Sequence, residues 1–185
     1  MKLLKRIVIA LVAIVVIAVL VSFTMPRHPT VSRSIEIAAP VETIFPIVSD
    51  LRRFNEWSPW FERDPEAKYT FTGPVDGVGQ TLNWTSKKPE VGSGKQTILR
   101  IDAPKEVEML LDFGQQGVAD STFRLEPNGK VTKVTWGFSS DTGFNPVMRY
   151  MGMMFDKWIG PDYEKGLARL KEVSEKPPPG DAPAG

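Results

Sequence analysis

Residues 145–173 read NPVMRYMGMMFDKWIGPDYEKGLARLKEV, and the reading of this stretch decides the fold. At helical period, Met148, Met151, Phe155, Trp158, Ile159, Tyr163, Leu167, Leu170 and Val173 share one broad face. Lys157, Asp162, Glu164, Lys165, Arg169 and Lys171 take the other. Asn145 is suited to cap the N-terminus, and Pro146 to the first helical position, where no backbone N–H is needed. The spacing predicts one long helix. Gly160-Pro161 lies in its middle, and Pro161 lacks an N–H and crowds the carbonyl of Lys157, which predicts a kink or a break there. Gly160 and Gly166 offer places where another backbone can come close. A face this rich in methionine and aromatic residues fits either the packing of a core or the wall of an apolar pocket, since thioethers adapt to irregular contents.

Working back from the helix, the chain alternates with the period of strands. Residues 31–37 put Val31, Ile35 and Ile37 on one face, with Arg33 on that side near its outer end. Pro40 starts a short helix whose apolar positions are Ile44, Phe45, Val48 and Leu51, and Pro46 keeps it short or bent. A second short helix over residues 51–56 delivers Trp57-Ser58-Pro59-Trp60-Phe61, either a plug for one end of the core or a pocket wall. Strands follow at 68–72, 80–86, 95–101, 106–113, 119–126 and 131–140, separated by turn signals such as Gly73-Pro74, Gly92-Ser93-Gly94 and Pro127-Asn128-Gly129. Their inward sets include Tyr69 and Phe71, Leu82 and Trp84, Thr97, Leu99 and Ile101, then Met109, Leu111 and Phe113, Ser121 and Phe123, Trp136 and Phe138. The order is strand, two short helices, six strands, long helix. That is an α+β arrangement, a curved antiparallel sheet of about seven strands wrapped on the C-terminal helix.

At the other end, Ile7 to Val21 is a run of 15 apolar residues. With Ser22 and Phe23 it would span about 26 Å as a helix, close to a hydrocarbon core of about 30 Å. Lys2, Lys5 and Arg6 precede it, which predicts a cytoplasmic N-terminus and a domain across the membrane, periplasmic in a two-membrane bacterium. Residues 21–26 offer no small-x-small cleavage site, so an uncleaved signal anchor is the better reading than a signal peptide. The chain thus divides into a membrane anchor (1–24), a stiff spacer (25–30), one domain (31–175) and a tail (176–185) rich in proline, glycine and alanine and expected to be disordered.

Composition removes several chemistries. The formal net charge is +1, and beyond the anchor no basic run provides an electrostatic footprint for nucleic acid. With no cysteine there is no disulfide, thiolate nucleophile or Cys-ligated metal. His28, in the spacer, is the single histidine, so the domain has no His-dependent triad and no His-rich metal site. Strand alternation puts Glu36, Asp112 and Asp120 on the polar face, and Asp141 lies in a loop. No catalytic constellation, metal or cofactor is expected, and the sequence sets no oligomeric state.

Several motifs carry a family resemblance. They are Ser34-Ile-Glu-Ile-Ala-Ala-Pro40 leading into Ile44-Phe45, Asp50-Leu51, Trp57-Ser58-Pro59-Trp60-Phe61, and Gly73-Pro74 with Gly77-Val78-Gly79 and Trp84. Lys133-Val134-Thr135-Trp136 and Tyr163-Glu-Lys-Gly-Leu167 with Leu170-Lys171 complete the set. Over residues 31–173 the chain resembles the START-like helix-grip superfamily (SRPBCC), in the branch of polyketide cyclase/dehydrase and lipid-transport proteins. Pro46 and the apolar N-terminus depart from the commoner pattern of its soluble members.

The resemblance implies a helix-grip fold and no particular reaction. Together with the apolar inward face it leads to the expectation of a membrane-anchored domain that binds a lipid or other hydrophobic small molecule between helix and sheet. The expected lining is Trp57, Trp60, Tyr69, Phe71, Trp84, Leu99, Met109, Leu111, Phe113, Ser121, Phe123, Trp136, Phe138, Met148, Met151, Phe155 and Trp158. Arg52 and Arg53 could hold an acidic headgroup at the mouth. One alternative is a cyclase- or dehydratase-like enzyme, which needs a buried ionisable group in the cavity. The other is a domain that docks a membrane or protein without a ligand, which needs an exposed apolar patch and no pocket.

Overall fold

The computed structural model describes residues 1–176, and the expectation for the tail falls, from residue 177 on, outside that range. Helix α1 (Lys2–Ser22) leads through a turn to β1 (Thr30–Ile37) and α2 (Val41–Val48). A 3-10 turn at Leu51–Glu56 and α3 (Pro59–Arg63) follow, then β2 (Lys68–Thr72), β3 (Thr81–Thr85), β4 (Ser93–Asp102), β5 (Glu106–Asp112), β6 (Val118–Asn128) and β7 (Val131–Ser139). The C-terminal stretch forms α4 (Pro146–Gly152) and α5 (Phe155–Ser174). All strand pairs are antiparallel, in the order β1-β7-β6-β5-β4-β3-β2, and α5 lies against the sheet in a helix-grip fold.

Local chemistry accounts for the turns before the sheet. Pro46 sits inside α2, which ends two residues later at Val48 after burying Val41, Ile44, Ile47 and Val48. The Asp50 carboxylate accepts the Arg52 backbone N–H and starts the 3-10 turn. Gln80, fully buried, ties that turn to the β2–β3 connection. Its Oε1 accepts the Leu51 N–H at 2.7 Å, and its amide donates to Asp50 Oδ1 and to the Val75 carbonyl. A buried amide with its bonds met is a fixed point in the structure.

Two sequence expectations are corrected. Residues 145–173 form two helices, not one, and the break comes at Met153-Met154 rather than at Pro161. Pro161 and Lys157 are both exposed, so water can serve the carbonyl that the proline frees and α5 runs on through it. In β4 the register shifts between Ile98 and Arg100, a bulge that leaves Leu99 as the extra residue. Ile98 pairs with Met109 and Ile101 with Val107, while Leu99 turns outward and is 50% exposed.

The core is an aromatic pile under α5. Trp136 stacks face to face on Tyr163, with ring centroids 3.8 Å apart, and on Phe123 at 5.0 Å. Trp57 meets the edges of Phe54, Phe123 and Trp136, and Trp60 those of Trp136 and Tyr163. The Trp136 indole donates to the Ser121 hydroxyl at 3.0 Å. The two helix glycines admit side chains, not another backbone. A Cβ at Gly166 would stand 2.7 Å from the Trp136 ring, and one at Gly160 would collide with the guanidinium of Arg33. From β1, Arg33 donates to Asp156 and Glu164 of α5 and straps the helix to the sheet edge.

Gly166→Ala sets an overpacking cost of about 1–3 kcal/mol against a helix-propensity gain of roughly 1 kcal/mol. The expected outcome is a net loss of about 1 kcal/mol in urea unfolding. Gly160→Ala meets only the end of a flexible arginine and is expected to cost less than Gly166→Ala.

Candidate functional site

The aromatic pile fills the space under α5 on the β6–β7 side. On the β2–β5 side the space stays open, as a cavity of about 420 Å³ between α5 and the sheet. Leu82, Trp84, Leu111, Phe113 and Tyr69 form its sheet wall, and Phe54 and Trp60 its end. Trp158, Ile159, Asp162 and Tyr163 descend from α5. The β3–β4 connection contributes Pro89 to Ser93, and the exposed residues Glu90, Gln116 and Trp158 mark the mouth.

Of the lining expected from sequence, the cavity brings together Trp60, Tyr69, Trp84, Leu111, Phe113, Phe138 and Trp158. The other residues lie elsewhere, each for a packing reason. Trp57, Met109, Phe123 and Trp136 are wholly enclosed in the core. Ser121 accepts the bond from Trp136. Phe155 meets the edge of Phe138 without reaching the cavity. Leu99 faces out at the bulge, and Phe71 is 37% exposed on edge strand β2 beneath the Arg52 guanidinium. Met148 and Met151 ride on α4, before the break, and neither reaches the cavity wall. Arg52 and Arg53 are absent from the mouth, because Arg52 donates to the Val75 carbonyl and Arg53 pairs with Glu56.

The polar groups of the wall are few. Gln96 is buried and donates to the Met109 sulfur at 2.6 Å. Period-two spacing that puts Thr97 and Leu99 inward hides its place in the inward row, and the register shift at Leu99 is the reason. Asp162 is buried although its charge put it on the solvent face of the helix. Arg63 of α3 reaches across to grip its carboxylate through both nitrogens of the fork, one bond at 2.8 Å. No local spacing signals a pair between residues 99 positions apart.

Two phenols border the cavity. Burial pushes the Tyr163 phenol well above its ordinary range, with the nearby Ser121 hydroxyl acting the other way. Tyr69 is raised too, first by burial and then by the Asp64 carboxylate. Raised phenols remain protonated and donate hydrogen bonds. The cavity therefore offers a broad apolar wall, the phenols of Tyr69 and Tyr163 and the amide of Gln96, with the inner carboxylate, Asp162, held in an ion pair and the Glu90 carboxylate and Gln116 amide at the exposed mouth. Among the described residues, no cluster of His, Asp or Glu could hold a metal ion.

Comparison with known proteins agrees with this architecture. A family model described as polyketide cyclase / dehydrase and lipid transport matches residues 28–175. No curated protein matches the chain. A protein from Arthrobacter aurescens solved by NMR superposes with a TM-score of 0.57 at 20% identity, covering 81% of this chain and 88% of its own. Truncated norcoclaurine synthase from Thalictrum flavum gives a TM-score of 0.58 at 16% identity, covering 81% and 95%. The same enzyme in complex with dopamine and hydroxybenzaldehyde gives 0.56 at 16% identity, covering 84% and 92%. At these identities the likeness concerns the fold.

Ser121→Ala is the variant that separates packing from ligand contact. It strands the buried Trp136 N–H, for which a cost of about 1–3 kcal/mol in urea unfolding is expected. Retention of any co-purifying ligand is expected to be unchanged.

Proposed function

The chain belongs to the polyketide cyclase/dehydrase and lipid transport family, and we propose that it binds a hydrophobic small molecule in the cavity between α5 and the sheet. The observation that carries this reading is the cavity itself: about 420 Å³, walled mainly by aromatic and aliphatic side chains. Ligand pockets commonly run from about 300 to 1,000 Å³ with few, well-placed polar groups. This volume is near the small end. It favours a ring system or a single-chain lipid over a two-chain phospholipid. Tyr69, Tyr163 and Gln96 would orient an oxygen-bearing end of the ligand by donating to it.

Binding is favoured over catalysis by the state of the ionisable groups. Within the cavity the phenols are held protonated, Asp162 is engaged by Arg63 and the single histidine lies outside the wall, while the free carboxylate, Glu90, stands in water at the mouth rather than against an enclosed ligand. A proton-abstracting base would need a free, accessible group.

The second part of the reading is the anchor. Helix α1 has the length and apolar composition to cross a membrane. Lys2, Lys5 and Arg6 in its first turns, ahead of the apolar run, favour a cytoplasmic N-terminus and a domain on the opposite side.

Native mass spectrometry of the detergent-extracted full chain, with organic extraction of what co-purifies, tests the proposal. A stoichiometric apolar adduct is the expected result. Leu111→Trp fills the cavity from its sheet wall and is expected to cut adduct occupancy at least about tenfold, or 1.4 kcal/mol, with little change in melting. An adduct that survives in Leu111→Trp would place the ligand elsewhere, and an apo mass for the wild type would count against a resident ligand.

The pH dependence follows from the phenols. Their ordinary value is about 10, and both are raised in the fold. Adduct retention is therefore expected to be flat between about pH 6 and pH 9. A fall across that window would show that a group titrating between those values, and not either raised phenol, takes part.

A further inference from the structure

The end of α1 is not joined to the domain by a free linker. Tyr150 of α4 donates its hydroxyl to the Ala18 carbonyl, inside the apolar helix, at 2.8 Å. Arg149 is buried and donates to the carbonyls of Phe23 and Met25, which follow the last turn of α1, and to that of Gly143. Its guanidinium lies over the Phe23 ring. The spacer is pinned as well. Arg27 pairs with Asp141 at 2.7 Å, Thr142 donates to the Arg27 carbonyl, and Gly152 packs against Pro29. Helix α4 thus stands beside the last turns of α1.

The outer side of α4 and the start of α5 is apolar and uncovered. Phe144 is 77% exposed, Val147 65% and Trp158 50%, with Met151, Met153 and Met154 between them. Six large apolar side chains within fifteen residues form a patch, and this patch adjoins the helix that would sit in lipid. The Trp57–Phe61 loop, the other candidate for docking, is turned inward with Trp57, Ser58 and Pro59 buried. Trp158 belongs both to the patch and to the mouth of the cavity.

We propose that α4 and the first turn of α5 lie in the interface of the membrane that α1 crosses, so that the cavity mouth at Trp158 opens onto the bilayer surface and exchanges its apolar ligand with lipid. The proposal rests on the reading of α1 as a membrane span. Given that reading, the bond to Ala18 fixes the level of α4. Ala18 lies four residues before the helix end, about 6 Å along the axis at 1.5 Å per residue. Tyr150 therefore reaches the depth at which tyrosine and tryptophan gather in membrane proteins. An amphipathic segment there buries its apolar side chains among headgroups and acyl chains. Arg149, at the helix exit, supplies donors to carbonyls that the end of a helix leaves open.

The chain has no cysteine, so single-cysteine variants take a nitroxide label cleanly. Phe144→Cys and Met153→Cys report on the patch, Trp158→Cys on the mouth and Leu11→Cys on the span. Lys130→Cys, at the far end of β7, is the water reference. Its nine-residue strand holds it roughly 30 Å away at about 3.3 Å per residue. The full chain is reconstituted into vesicles of phosphatidylcholine and phosphatidylglycerol, and label accessibility to oxygen and to a water-soluble nickel chelate is compared by electron paramagnetic resonance.

The ratio of oxygen to chelate accessibility is expected to be several-fold higher at positions 144, 153 and 158 than at 130, and highest at 11. A lipid reading at 11 with water readings at 144 and 153 overturns the proposal, leaves the anchor intact and frees the patch for a protein partner. Lipid readings at 144 and 153 with water at 158 overturn the placement of the mouth. A water reading at 11 overturns both the anchor and the proposal. Phe144 stands in an exposed loop before α4, so that variant keeps the test open if a label at 153 disturbs folding.

Discussion

The domain depends on one face-to-face contact, the Tyr163 ring of α5 laid on Trp136 in the middle of β7. Two flat rings at 3.8 Å bring a helix closer to a sheet than branched side chains would, and Gly166 makes room for the approach by having no Cβ. Trp136 is held in turn by Phe123 beneath it, by the edges of Trp57 and Trp60, and by the Ser121 hydroxyl. The pile is dense but one-sided. It fixes α5 along the β1–β7 side of the sheet, and on the side of β2 to β5 the space beneath the helix has nothing of equal bulk to fill it. The cavity is that space. Strong packing on one side and open space on the other have a common cause.

The break at Met153-Met154 divides the C-terminal stretch between two tasks. Beyond it, α5 turns Tyr163, Leu167 and Leu170 to the sheet. Before it, α4 turns Arg149 and Tyr150 to α1 and the spacer. Met148 and Met151 therefore share the helical phase of the core residues without sharing their surroundings. The methionine richness that marked the stretch in sequence belongs largely to the uncovered side of α4 and the junction.

Much of the fold was legible because strand alternation is a local signal. Val107 and Met109, Phe123 and Leu125, Val134 and Trp136 all face as their period-two spacing requires. The signal fails where one residue is inserted: the bulge at Leu99 reverses the phase of half a strand and hides Gln96 and Ile98 from the inward count. Pro161 misled for a different reason. Its cost depends on whether the freed carbonyl meets water, and that is a property of the packed helix. The site was legible in its aromatics, since Trp60, Tyr69, Trp84 and Phe113 stand on inward rows. Asp162 was not, because a charge is assigned to solvent by default and its partner Arg63 sits on a distant, short helix. Nor does any pattern say which inward aromatics will be enclosed and which will border space; Trp57 and Trp60 are three residues apart and fall on either side of that line.

The pinned spacer has a kinetic consequence. A domain on a flexible string samples a volume, and each encounter with a surface must find the right orientation anew. Here Arg27, Arg149 and Tyr150 leave no free string between the apolar helix and the domain. On a membrane, such a protein would hold its opening at one height and one angle. Orientation would be settled before any encounter, and the search for a dissolved apolar molecule would become a search in two dimensions. Tilting of the span in a thicker or thinner bilayer would then carry the opening with it, so that membrane thickness would set how the opening meets the surface.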